Sequence, residues 1–299
     1  MFTIICCSVR PERVAKLSEN IAQTIGDVEY QMIAFDNREV GDGICRIYNK
    51  CAEQARYPYL CFVHEDVEFL TPNWGRVIVE KLREESCGVV GFAGSIIKTD
   101  CPIGWRLGRR DTRSHYVQFM RGKFHKKHSE SSSKEDYSQV VTLDGMCLFV
   151  RREVWAEHRF DEVLLDGFHG YDIDFTLSVA QSHKNWVCNL VDIVHYSEGA
   201  YSAAWFETMQ QLCDKWRKHL PIVAYPMGEA ELRRFQQDSD YAYIRFMWQK
   251  GFFDKRSFCD GLRHIVRYPT RGSSWVLPFK YLSYRLRAAR RKSKRSRTN

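Results

Sequence analysis

Eight side chains scattered over the first two thirds of the chain are of the types that hold a hard cation or move a proton: Asp36, His64, Glu65, Asp66, Asp144, Asp172, Asp174 and His195. Carboxylates and an imidazole with open coordination positions suit Mg2+ or Mn2+ carrying a diphosphate, because hard cations prefer oxygen ligands and leave room for phosphate oxygens. Zinc is disfavoured, since no Cys or His pair has zinc-ligand spacing. The triplet His64-Glu65-Asp66 is the most informative, for it ends the apolar run Tyr59-Leu60-Cys61-Phe62-Val63. In open α/β sheets ligands gather beyond the carboxyl ends of strands, so acids just past a buried strand stand where chemistry takes place. Taken singly, each residue has a plainer reading. The triplet could be a solvated turn, Asp172 and Asp174 acids favoured at a helix N-terminus, Asp144-Gly145 a turn or bulge, and His195 a hydrogen-bonded core histidine.

The elements that must position these side chains alternate in type. Residues 2–7 read as a short strand, and Pro11 opens a helix with Val14, Leu17, Ile21 and Ile25 at helical spacing. A strand over 30–35 ends at Asp36-Asn37, a helix over 44–55 precedes the strand that carries the triplet, and a helix over 74–84 leads to a strand over 88–93. Such alternation predicts an α/β fold, with a mostly parallel central sheet flanked by helices. Across 98–139 the periodicity fails around one predicted hairpin at 115–120, and 129–136 reads as a mobile loop of low complexity. A strand over 140–150 interrupted at Asp144-Gly145, a helix over 174–180, a strand over 186–194 reaching His195 and a Trp-containing helix over 203–217 complete a first domain, 1–225. Residues 226–299 are expected to form a small helical C-terminal region with a basic tail.

Composition narrows the class. With 299 residues and 44% hydrophobic content the chain can bury a large core. Its net charge of +8 is concentrated at the end: residues 280–299 hold nine Lys and Arg and no acid, leaving the remainder close to neutral. Nucleic acid is therefore not an expected partner, and no nucleic-acid-binding motif is present in the main domain. Trp275, Phe279, Leu282 and Leu286 recur at helical spacing beside Lys280, Arg285 and Arg287, the pattern of an interfacial helix bound to anionic lipid; a solvated basic terminus is the plainer alternative. The 11 cysteines are odd in number and scattered, which fits buried thiols in a reducing, cytoplasmic compartment. Neither a secretory leader nor a bilayer-spanning stretch is apparent, so peripheral attachment at the inner membrane face is the expectation.

The ordered set of motifs resembles a known family, the inverting, family-2-like nucleotide-sugar glycosyltransferases of the GT-A fold. The 59–67 segment looks like their strand and Asp-x-Asp element. Ser8-Val9-Arg10 and Asp36-Asn37 resemble their nucleoside-contacting strand ends, and Arg46 to Asn49 with Ala52 resembles the helix beside the nucleotide. Leu143-Asp144-Gly145 and Phe149-Val150-Arg151-Arg152 are similar to the acceptor-side segment, Gly170-Tyr171-Asp172-Ile173-Asp174-Phe175 to the Glu-Asp element, and His195 to the third metal ligand. The likeness covers about 1–220. It implies a hexosyltransferase-like enzyme using Mn2+ or Mg2+, with Asp66, His195 and His64 at the metal. Asp172 would be the base and Asp144 would orient the acceptor. Ser8, Arg10, Asp36, Arg46, Asn49 and Glu65 would lie at the nucleotide-sugar donor. The implied acceptor is a saccharide or lipid-linked saccharide of cell-surface polysaccharide or glycolipid synthesis. Each acidic motif keeps only its second acid, since His64 and Tyr171 replace the first. Two alternatives stand beside this reading. A nucleotidyltransferase would use a similar scaffold, but 8–13 lacks the glycines of a phosphate loop. A membrane-surface scaffold protein that has lost catalysis is the other.

Overall fold

The first strand, β1 (Phe2–Ser8), is almost wholly buried, as expected for an apolar run covered on both faces. Pro11 then occupies the first turn of α1 (Pro11–Thr24), where its fixed φ and missing N–H cost nothing, and Leu17 and Ile21 face inward. The chain continues through β2 (Tyr30–Asp36), α2 (Ile44–Glu53), β3 (Tyr59–Val63), β4 (Val67–Phe69), α3 (Trp74–Leu82), β5 (Cys87–Gly91), β6 (Ala93–Ser95) and β7 (Ile97–Lys98). Next come β8 (Thr112–Met120), β9 (Lys123–Ser129), β10 (Tyr137–Val140), β11 (Thr142–Leu143), β12 (Cys147–Arg151), α4 (Arg152–His158) and α5 (Tyr171–Val179). The run ends with β13 (Lys184–Cys188), β14 (Ile193–His195), α6 (Ala203–Trp216) and β15 (Ile222–Val223). This is a computed structural model, and it describes residues 1–106, 108, 110–120, 123–129, 135–197, 201–253 and 255–295. Most of the low-complexity segment 129–136 and the side chains of the basic tail beyond 290 lie outside the described residues.

The central sheet has seven strands in the order β10-β13-β5-β12-β3-β1-β2. β1 runs parallel to β2 and β3, and β13 runs parallel to β5. The sheet is less uniformly parallel than the alternation suggests, because β12 enters antiparallel between β3 and β5, and β10 runs antiparallel to β13. A second sheet, β11-β6-β8-β14-β4 with β9 on β8, takes over where the chain leaves the first. That handover explains two expectations that merged separate strands. The 140–150 run is divided among β10, β11 and β12, and the 186–194 run is divided between β13 in one sheet and β14 in the other. Hydrophobicity continues across the breaks, so pattern alone hides them.

An aromatic cluster holds the sheet to α3. Trp74 stacks on Phe69 with ring centroids 4.2 Å apart, and Phe2 packs against both Trp74 and Phe149. Such rings bury large areas, and each pair adds about 0.5–1.5 kcal/mol beyond its burial. All 11 cysteines are free thiols, and all but Cys7 and Cys259 are buried, where they serve as small apolar residues.

The chain forms two compact units, one of residues 1–98 with 104–226 and one of 99–103 with 227–299. The second unit contains α7 (Glu229–Lys250), α8 (Lys255–Arg267), a 3-10 turn (Ser274–Val276) and α9 (Leu277–Arg295). Ile244, Trp248, Leu277 and Tyr281 form its core, and Gly261 of α8 abuts the Trp248 ring, so that a Cβ there would lie 2.8 Å from it. No helix of the described residues is long and apolar enough to cross a membrane.

Candidate functional site

β3 ends at Val63, and the next three residues carry the chain from the central sheet to β4 in the second. The His64 N–H donates to the Met146 carbonyl at 2.9 Å, anchoring one end of this crossing. At the other end β14 runs antiparallel to β4, with His195 opposite Val67, and the Tyr196 N–H donates to the Asp66 carbonyl at 2.9 Å. Strand register therefore delivers His195 to Asp66. Ligand atoms of His64, Asp66 and His195 all lie within 4.8 Å of one another.

The electrostatics of this cluster fit a cation. His195 Nε2 and Asp66 Oδ1 are 3.4 Å apart but not aligned for a hydrogen bond, so each is a buried polar atom without a hydrogen-bond partner. Such orphans are costly unless something else satisfies them. Asp66 Oδ2 receives Arg13 Nη1 at 3.2 Å. Burial works to raise the Asp66 pKa, but His195, His64 and Arg13 outweigh it and hold the carboxyl below its ordinary value. Burial, with His195 adding to it, pushes His64 down and keeps its imidazole neutral, the form that ligates metal. Two imidazoles and a carboxylate, two of their facing atoms unsatisfied, form a suitable donor set for a divalent transition ion such as Mn2+.

The β11–β12 turn and the first turn of α5 meet beside this cluster. Gly170, at φ +82°, caps α5 in the left-handed region that glycine adopts without strain. Tyr171 Oη lies 2.9 Å from the Gly145 carbonyl and 2.7 Å from His64 Nε2. Only glycine fits at 145, since a Cβ there would stand 2.1 Å from that hydroxyl. The Gly145 N–H donates to Asp172 Oδ2 at 3.0 Å. Burial, reinforced by the nearby Asp144 carboxylate, pushes Asp172 up to about 7. Asp144 accepts from Trp105 Nε1 at 2.7 Å and from the Met146 N–H at 2.9 Å. Asp174 belongs elsewhere: it is buried and accepts from Lys215 Nζ and Trp216 Nε1, both at 2.8 Å, so it locks α5 to α6.

The residues expected at the donor divide into three groups. Ser8 Oγ and the backbone N–H groups of Val9 and Arg10 all donate to Glu65 Oε2, at 2.5, 3.1 and 3.0 Å. Glu65 thus braces the β1–α1 turn and is not one of the three clustered ligands. Asp36 is exposed at the end of β2, opposite Ser8, and forms an ion pair with Arg38. Arg46 and Asn49 point to other work. Arg46 pairs with Asp42 and lines a cavity with Glu162 and Asp166. The buried Asn49 amide is taken up by Phe160 and Glu162, tying α2 to that loop. Three residues escaped notice in the sequence: Arg13, Trp105 and Tyr171 as a hydrogen-bonding group. Arg13 lies in the first turn of α1, where a cation just after β1 is a usable signal; Trp105 sits in an aperiodic segment that offers none.

Residues 3–213 match the family model described as the Glycosyltransferase like family. The chain belongs to that family. No curated protein sequence matches the chain. Among solved structures, GalNAc-T7 with UDP, GalNAc and Mn2+ is similar at a TM-score of 0.53 and 9% identity, over 94% of this chain and 58% of that one. TarS from S. aureus, residues 1–349 in complex with UDP-GlcNAc, is similar at a TM-score of 0.53 and 11% identity, over 95% of this chain and 89% of that one. The chain thus spans little more than half of the GalNAc-T7 structure. The likeness establishes the GT-A fold, and family and fold together mark an enzyme of the glycosyltransferase class.

Proposed function

We propose that this glycosyltransferase-family chain is a metal-dependent, inverting enzyme that moves a sugar from a nucleotide-diphosphate donor to an acceptor hydroxyl. The observation that carries the reading is the convergence of His64, Asp66 and His195, with two buried ligand atoms unsatisfied, beside the Asp172 carboxyl. A divalent ion held by these three would neutralise the charge that develops on a departing diphosphate. Two imidazole donors favour Mn2+ over Mg2+, which seeks oxygen ligands in a regular octahedron. The UDP-GlcNAc of the TarS structure and the UDP and Mn2+ of the GalNAc-T7 structure agree with a nucleotide-sugar donor.

Asp172 is the base in this reading. A carboxylate poised near neutrality can take the proton of an acceptor hydroxyl as it attacks the anomeric carbon, and a single displacement inverts that centre. Asp144, fixed by Trp105, would orient the acceptor, while Ser8, Arg10 and Asp36 at the ends of β1 and β2 would meet the nucleoside or phosphates. Titration of nucleoside diphosphates with and without Mn2+ tests the proposal. Asp66→Ala should abolish Mn2+-dependent binding, and Asp172→Asn should retain binding yet lose at least about 100-fold in transfer. Wild-type affinity in the first variant, or wild-type transfer in the second, rejects the assignment.

The second unit supports a surface-bound acceptor. Trp275 in the 3-10 turn and Phe279, Leu282 and Leu286 along α9 are exposed, as are Phe258, Leu262 and Val266 along α8. Residues 255–299 hold 14 Lys and Arg against one Asp, so the fitting partner is an anionic lipid surface, and a lipid-linked saccharide is the fitting acceptor. Phe279→Ser with Leu286→Ser should lower co-sedimentation with phosphatidylserine vesicles; unchanged binding, or equal binding to neutral vesicles, counts against it.

A further inference from the structure

His64 and Tyr171, which lead the two acidic motifs read from the sequence, touch each other, with His64 Nε2 2.7 Å from Tyr171 Oη. We propose that they form one device: Tyr171 is a positioning residue that fixes His64 as the tautomer protonated on Nε2, leaving the Nδ1 lone pair for the divalent ion. The proposal deepens the metal-dependent reading given above and rests on it.

The argument is a proton count. A phenol has a single O–H proton, and Tyr171 Oη has two neighbours at hydrogen-bond distance, the Gly145 carbonyl at 2.9 Å and His64 Nε2 at 2.7 Å. A carbonyl only accepts, so the phenol must donate to it, or two oxygen lone pairs would face each other in a buried site. The contact with His64 then requires Nε2–H to donate to Oη. Neutral imidazole carries one N–H, so Nδ1 is left as the acceptor nitrogen. Outer partners of this kind set ring orientation and basicity in metal sites. Gly145 completes the device, because any Cβ at that position would expel the hydroxyl. Its own N–H meanwhile holds Asp172, so the same backbone unit touches both the metal side and the base side.

The test has two readouts besides activity. In metal-free protein, nitrogen NMR of the imidazole rings should show His64 protonated on Nε2, and Tyr171→Phe should redistribute the proton. By electron paramagnetic resonance, Tyr171→Phe should weaken Mn2+ binding by about 10- to 100-fold. In a His64→Ala background the same change should have almost no further effect, as for two residues acting in series. A wild-type His64 protonated on Nδ1 overturns the proposal even if the variant does not fold. Wild-type Mn2+ binding left unchanged by Tyr171→Phe overturns it alone, whereas wild-type protein that binds no Mn2+ removes the metal reading and this proposal together.

Discussion

At the scale of single residues, Asp172 gives the sharpest consequences. Its carboxyl is raised to about 7 by burial and by Asp144, so transfer that uses it as a base should rise with pH through that value and level off above it. Stability moves the other way. A carboxyl that keeps its proton to higher pH in the folded state than in the unfolded state favours folding at pH below the ordinary carboxylate range, and that contribution is lost as pH climbs through about 7. Metal-free wild-type protein should therefore lose stability between pH 4 and 7 relative to Asp172→Asn, as denaturant midpoints would show. Gly145→Ala is expected to cost about 1–3 kcal/mol through overpacking against Tyr171, with a matching fall in Mn2+ affinity. The grouping of one cluster was legible at this scale. His64, Asp66 and His195 were drawn from the sequence as a metal set, and the structure gathers them. What the letters did not convey was the use of each side chain. Glu65 lies between two clustered ligands yet braces a turn, and Asn49 and Arg46 answer to neighbours that only folding supplies.

At the scale of elements, the strands and helices that end at polar residues were readable because buried strands are continuous apolar runs and α1 keeps helical spacing. Strand direction was not readable. β12 runs antiparallel between β3 and β5 after the chain has returned from the second sheet, and no periodicity distinguishes that direction from a parallel one. The α5–α6 contact offers a test independent of catalysis. Asp174 is almost fully buried and held by Lys215 and Trp216, so Lys215→Met strands a buried carboxylate and should destabilise the protein by about 3 kcal/mol. A loss below about 1 kcal/mol in chemical denaturation would mean that Asp174 is satisfied by Trp216 alone. The sequence allows Asp174 to be a helix N-terminal acid as much as a site residue, and it lies in the first turn of α5 with structural partners.

At the scale of the whole molecule, ligand binding should register as stability. If Mn2+ and a nucleoside diphosphate bind the native state only, thermal unfolding of the full chain should move upward with their concentration, by about 2.7 kcal/mol at a hundredfold excess over Kd. His64 and Asp66 are the residues at which the chain crosses from the central sheet to the second, and His195 of β14 pairs with Val67 of β4 just beyond them. The three side chains therefore depend on two separate hydrogen-bonded ladders staying in register. An ion seated there would act as a rivet between the ladders. Amide exchange in β4 and β14 should slow when Mn2+ is added while β1 stays unchanged, because whatever loosens the smaller ladder must first release the ion.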